Sequence, residues 1–226
     1  MERKPISKDT RKTEHKICGF HACMALFHNR PGDIIRAYVT EETRKPFGPM
    51  LKFCAQSRLA YHIVDPKDLV KIAETEHHEG VCVLARSHNM PDFKTFLSNT
   101  PKSDSVVLWL VGVENPHNVG AILRTAAHFG VGAVLVTPGG PASARPGNWT
   151  LPASALRIAE GGAEHVPVIV ATSPVAETAR DLKKSGFAVY ATSGSPVAQD
   201  AFKAKLRHPC VCLLYTSPSP RDATLS

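Results

Sequence analysis

The sequence has no apolar run near the roughly 20 residues needed to span a bilayer. Its first residues, MERKPISKDTRKTEHK, lack the apolar segment of a secretory signal. Both absences exclude the membrane and export classes that such segments mark, and the expected location is cytoplasmic. None of the six cysteines, Cys18, Cys23, Cys54, Cys82, Cys210 and Cys212, stands in a C-x-x-C pair. Most sit in apolar surroundings, so they are expected as buried, reduced thiols. The pair His77-His78 has no Cys or carboxylate at ligand spacing around it, so no metal site is expected. No internal repeat of fixed period is present.

Two glycine loops are also missing. A dinucleotide-binding fold needs G-x-G-x-x-G between a first strand and its helix. Here that turn reads ENPHN, and GVGAV comes only at the helix end, before a strand. No G-x-x-x-x-G-K-[ST] occurs either. The common adenine-nucleotide chemistries are thereby disfavoured.

What the chain does have is positive charge and alternation. Its 226 residues carry a net charge of +7, with a sequence pI near 9.2. A basic surface favours polyanions through phosphate neutralisation and counterion release. With 43% hydrophobic and 21% charged residues, the balance is that of a globular protein.

Residues 1–16 form a polar, basic tail. From Ile17 the pattern predicts a small α/β domain over 17–87. A helix over GFHACMALFHNR is followed by the strand IIRAYVT. Then come a helix over PFGPMLKFCAQSRLA, the strand YHIVD, a helix over PKDLVKIAE and the strand GVCVLAR. Residues 88–104 read as a linker, with a short helix around Phe93 to Leu97. A second α/β unit occupies 105–214. Its first strand, VVLWLVGV, is a continuous apolar run of the kind covered on both faces. AVLVT, HVPVIVAT, FAVYATS and HPCVCLL follow as strands, with PVAETARDLKKSG as an amphipathic helix. PGGPASARPGNWTLPASA reads as a long loop. Strands alternating with helices predict a parallel sheet.

The stretch ENPHNVGAILRTAAHFGV, Glu114 to Val131, carries the chemistry. Asn118 stands where an N-cap belongs. Val119, Ile122, Leu123, Ala126 and Phe129 recur at helical spacing as a buried stripe. Gly120, Arg124 and His128 form another stripe, in which Gly120 removes bulk one turn above the guanidinium. Arg124 is then free to reach toward the helix mouth. A helix N-terminus offers unpaired N–H groups to an anion, and arginine adds a planar fork for phosphate. The same pattern also suits a structural ion pair of Arg124 with Asn118 as a plain cap. Spacing leaves both readings open.

NPHNVGAILRTAAHFGV resembles the first signature motif of the SpoU (TrmH-like) RNA ribose 2'-O-methyltransferases of the SPOUT superfamily, N-x-G-x-x-x-R-[TS]-A followed by F-G. Asn118, Gly120, Arg124, Thr125, Ala126, Phe129 and Gly130 all match. EGGAEHVPV is similar to the family's segment between the second and third strands of that domain, where Ser-Ala-Gly-Ala is more usual than the Ala159-Glu160-Gly161-Gly162 found here. The N-terminal region is similar to the L30e-like substrate-binding domain that precedes the catalytic domain in many members. The resemblance implies a SPOUT-type parallel-sheet domain with a trefoil knot, S-adenosylmethionine as cofactor, ribosomal or transfer RNA as substrate, and a homodimer. It implies Arg124 and Asn118 as catalytic residues, Asn118, Arg124 and His117 as RNA-binding residues, and Ala191, Thr192 and Ser193 as one wall of the cofactor pocket.

After HPCVCLL the family continues with G-x-E-x-x-G-[LI] and S-L-N-V-[SA] motifs, which bind most of the cofactor and thread the knot. This sequence reads YTSPSPRDATLS, so 215–226 are expected to be a foreign tail on a truncated domain, with weak cofactor binding and an incomplete knot. The alternative is a non-catalytic RNA-binding protein of the same fold, in which Arg124 grips phosphate alone.

Overall fold

The computed structural model describes residues 14–87, 90–99, 104–137, 150–192, 198–200 and 203–215. The chain divides into two compact units. One gathers residues up to 89 with 120–124 and 150–165; the other holds 90–119, 125–149 and 166–226.

The first unit is built on four strands, β1 (Glu14–Cys18), β2 (Ile34–Val39), β3 (Ala60–Ile63) and β4 (Val81–Arg86), in the order β1-β4-β2-β3. β4 runs antiparallel to β1 and β2, while β2 and β3 are parallel. Alternation sends successive side chains to opposite faces. Val81, Val83 and Ala85 of β4 meet α1 (Phe20–Asn29) and α3 (Gly48–Gln56) on one side. Cys82 meets α4 (Pro66–Ala73), through Leu69 and Ala73, on the other. Short α2 (Glu41–Arg44) begins at a capping box, in which Thr40 and Thr43 satisfy each other's backbone and Thr43 donates to the Gly80 carbonyl at 2.6 Å.

Ordered structure starts at Glu14, three residues before the expected Ile17. EHKIC has too few apolar residues to show as a strand. It exists because β4 supplies its hydrogen bonds, from Glu14 opposite Arg86 to Cys18 opposite Cys82. The long loop expected through residue 155 ends earlier, since α7 (Ala153–Ile158) opens after Pro152. Its apolar contacts, Leu151 and Ala155, are both buried. Pro152 precedes the first turn, where a missing N–H costs nothing.

The second unit holds a five-stranded sheet in which every pairing is parallel. Its strands are β5 (Val106–Val111), β6 (Ala133–Thr137), β7 (Val168–Val170), β8 (Ala188–Ala191) and β9 (Cys210–Tyr215), ordered β7-β6-β5-β9-β8. The parallel α/β expectation is met. Val107, Trp109 and Leu110 of β5 are fully buried, as a strand covered on both faces requires. The Trp109 indole N–H donates to the Thr137 hydroxyl at 2.9 Å, so its burial leaves no donor unpaired. α5 (Phe93–Asn99) and α8 (Val175–Lys184) bring Phe96 and Leu182 onto this core. β9 runs through Tyr215, one residue into the expected foreign tail, and pairs it with Val111. Residues 216–226, and with them the rest of that tail, lie outside the described residues.

Candidate functional site

The order of the parallel sheet places β5 between β6 and β9, so chain progression reverses between β5 and β9. In open α/β sheets ligands bind at the carboxyl ends of strands flanking such a reversal. α6 (Pro116–His128) starts there, four residues after β5 ends.

Asn115, not Asn118, is the N-cap. Its side-chain oxygen accepts from the His117 N–H at 2.9 Å, and Pro116 occupies the first helical position. Asn118 is therefore inside the first turn, and its amide is exposed and spared for another partner. His117, one residue before it, is exposed as well. The sequence offered two asparagines three residues apart, and the proline between them decides which one caps.

The buried stripe of α6 holds at Val119, Leu123 and Ala126, with Ile122 half-buried. It fails at Phe129, which is 75% exposed. The helix ends at His128, so Phe129 is already the C-cap residue and leaves the helical stripe. Its ring meets the His128 imidazole edge-on at 5.3 Å.

The role expected of Gly120 also changes. Gly120 does not clear a path for the guanidinium; α7 fills the space. A Cβ on Gly120 would lie 2.7 Å from the Ala155 carbonyl and 2.8 Å from the Ile158 Cβ. A Cβ on Gly162 would lie 2.8 Å from the Leu123 carbonyl and 2.9 Å from the Arg124 Cα. Two bare glycines thus let the segment from α7 to Gly162 sit directly on the backbone of the turn that carries Arg124.

That contact delivers Glu160. Arg124 Nη1 donates to Glu160 Oε1 at 2.8 Å, with about half of each side chain exposed (51% and 49%). Glu160 has φ +48°, a left-handed backbone that a non-glycine residue adopts at a cost of about 1 kcal/mol. The segment is held from its other end too. Arg30 donates through Nε and Nη2 to both carboxylate oxygens of Glu164, at 2.7 and 3.0 Å, with Glu164 only 5% exposed. Burial works against the Arg30 charge, but Glu164 and Asp33 outweigh it and hold the guanidinium above its usual range. Arg124 is thus ion-paired through one nitrogen. Glu160 and the glycine contacts that place it were missed by spacing, because they come from a segment 36 residues away.

The residues expected for the cofactor wall lie elsewhere in the second unit. Ala191 ends β8, next to Leu213 of β9, and is exposed. Thr192 donates its N–H and its hydroxyl to the Leu213 carbonyl, at 3.2 and 3.3 Å. Ser193 lies outside the described residues. His78, of the histidine pair, is buried and its Nδ1 accepts from the Gly80 N–H at 3.0 Å. Among the described residues no helix is long and apolar enough to cross a membrane.

Comparison with known proteins converges on one group. The model of the SpoU rRNA methylase family matches residues 105–214, and that of the RNA 2'-O ribose methyltransferase substrate-binding domain matches 16–91. The chain is 36% identical over 204 residues to the uncharacterized tRNA/rRNA methyltransferase YfiF of Escherichia coli O157:H7, covering 89% of this chain and 56% of that protein. It is 36% identical over 183 residues to the 23S rRNA (guanosine-2'-O-)-methyltransferase RlmB of Pasteurella multocida, covering 79% of this chain and 71% of RlmB. A solved RNA 2'-O ribose methyltransferase superposes with a TM-score of 0.66 at 25% identity, over 91% of this chain and 72% of that one. The chain spans less than two thirds of its YfiF-like relatives, 56% and 59% of their lengths. With its signature helix opening at the sheet's reversal point and its sequence aligned to RlmB over most of both proteins, the chain belongs to the SpoU (TrmH-like) methyltransferase family.

Proposed function

We propose that the protein takes part in 2'-O-methylation of a ribose in ribosomal or transfer RNA, in the cytoplasm, with S-adenosylmethionine as methyl donor and as a homodimer. The observation that carries this reading is α6. It presents Asn118, Gly120, Arg124, Thr125, Ala126 and Gly130 in the register of the family motif, on a helix launched from the carboxyl end of β5.

A ribose hydroxyl is a poor nucleophile near neutral pH, and the enzyme's task is to orient it and favour its ionised form. Arginine stays protonated above pH 12 and is no base. Arg124 instead binds the phosphate beside the target ribose, or stabilises the alkoxide as charge develops on it. The exposed Asn118 amide and His117 ring contact the RNA at the helix mouth, where unpaired N–H groups already favour an anion. S-adenosylmethionine supplies an electrophilic methyl group when bound. Ala191 and Thr192 offer a small, uncharged edge that fits the adenosyl portion of that molecule, and Thr192 is steadied by Leu213. Ser193 continues that edge.

The second reading is RNA binding without transfer. The observation that favours it is the engagement of Arg124 with Glu160, which leaves the guanidinium a gripping role. The two readings separate on one experiment. RNA incubated with the protein and methyl-labelled S-adenosylmethionine is digested to nucleosides. Methyl transfer predicts the label on ribose, as a 2'-O-methyl nucleoside. RNA binding with no label incorporated leaves the second reading standing.

A further inference from the structure

A groove of about 510 Å³ lies between α3 and the edge strand β3 in the first unit, away from α6 in sequence. Leu51 and Ala55 of α3 line one side, and Tyr61 and Ile63 of β3 the other. β3 is the last strand of its sheet, and Tyr61 and Ile63 are 42% and 43% exposed. A step of aromatic and aliphatic surface left open to water at a sheet edge marks a recognition surface when polar groups rim it. Here the rim is cationic. Arg44, Lys45 and Lys52 line the same groove, against a single carboxylate, Glu41, which is tied to Arg44 at 3.0 Å. The two lysines remain as unopposed positive charge among the lining groups.

An aromatic face with flanking lysines is the combination that holds single-stranded nucleic acid: a base stacks on the ring while cations track the backbone. The volume falls within the range of small-ligand sites, roughly 300–1,000 Å³. We propose that this groove binds one unpaired nucleotide of the RNA, with its base stacked on Tyr61 and its phosphate held by Lys45 and Lys52. The proposal rests on the RNA reading of the protein and adds a second point of contact to it. The unpaired outer edge of β3 is also open to an extended peptide or a second copy of the chain. The charge balance of the rim favours the polyanion.

Binding of a short, end-labelled single-stranded RNA to the full chain, followed by fluorescence anisotropy over a range of salt concentrations, tests it. Tyr61→Ala weakens binding roughly tenfold, while Tyr61→Phe keeps it, because stacking needs the ring and not the hydroxyl. Lys45→Ala with Lys52→Ala flattens the slope of log affinity against log salt by about 1.4, or about 0.7 for each cation lost. These positions are exposed, and thermal unfolding of each variant at the native temperature confirms that the fold is kept. If all three variants bind like the native chain while Arg124→Ala binds more weakly, the groove proposal falls and the RNA reading stands. If the native chain binds no RNA, both fall. If Tyr61→Ala abolishes self-association in light scattering but leaves RNA affinity intact, the occupant is a second copy and the proposal is overturned.

Discussion

Arg124 and Glu160 hold each other at 2.8 Å, and an RNA phosphate placed at Arg124 has to compete with that carboxylate. Glu160→Gln keeps the shape and removes the charge, so it is predicted to tighten RNA binding a few-fold at low salt. In an Arg124→Ala background the same change has no effect, a non-additivity that a double-mutant cycle reads directly. Equal gains in both backgrounds would mean that Glu160 acts on the general field and not on Arg124. His15 on β1 gives a second prediction at this scale. Burial, and then the nearby Arg30 charge, hold its imidazole below the ordinary value. The folded state therefore resists protonation that the unfolded state accepts. The stability this contributes is present above about pH 6.5, the ordinary imidazole value, and is lost as pH falls from there through the lower folded value. Denaturant midpoints measured at pH 7.5 and 5.5 should show that loss, and His15→Gln should blunt it. Arg124 was legible in the sequence because one charge in an apolar helix is conspicuous. Its partner was not, because nothing local links position 124 to position 160. Asn118 was legible as a polar residue at a helix mouth but misplaced as its cap, since the proline that shifts the start by three residues acts through backbone geometry.

Elements carry the close packing that the residue pairs depend on. Gly162 lets the turn after α7 rest on the Arg124 backbone, and a methyl group there meets main-chain atoms that have no soft way to yield. Gly162→Ala is predicted to destabilise the first unit by about 1–3 kcal/mol, the usual cost of overpacking. It should also weaken RNA binding, because it displaces the turn beneath Arg124. Urea unfolding and anisotropy on the same sample check both halves. The Arg30–Glu164 pair braces the same segment. Glu164→Ala leaves a poorly solvated guanidinium behind and should cost about 3–5 kcal/mol. A loss under 1 kcal/mol in denaturant unfolding would show that Asp33 and the Arg86 carbonyl suffice to hold Arg30. At this scale long apolar strands such as VVLWLVGV were plain from sequence, because burial on both faces leaves a continuous run. β1 and α7 were not. EHKIC is a strand by virtue of its partner, and ASALRI is too short to show a helical period.

Across the whole molecule, the mixed sheet of the first unit and the parallel sheet of the second follow the order in which strands and helices alternate along the chain. The contact-defined units, however, are not contiguous in sequence. Residues 120–124 and 150–165 group with the N-terminal sheet, because the glycine contacts of α6 and the buried Arg30–Glu164 pair draw them there. No periodicity announces such a regrouping, since each contact joins segments far apart in sequence. The net charge of +7 predicts an RNA affinity that falls steeply with salt, whichever RNA is the substrate. The central claim is that Arg124 serves methyl transfer to an RNA ribose. The most direct measurement compares the native protein with Arg124→Ala for methyl-label incorporation into RNA at saturating RNA, with the products resolved as nucleosides. The account predicts a 2'-O-methyl nucleoside from the native protein and a loss of about 100-fold or more for the variant, the scale seen when one transition-state donor is removed. Label on a base, or a variant as active as the native protein, would contradict it.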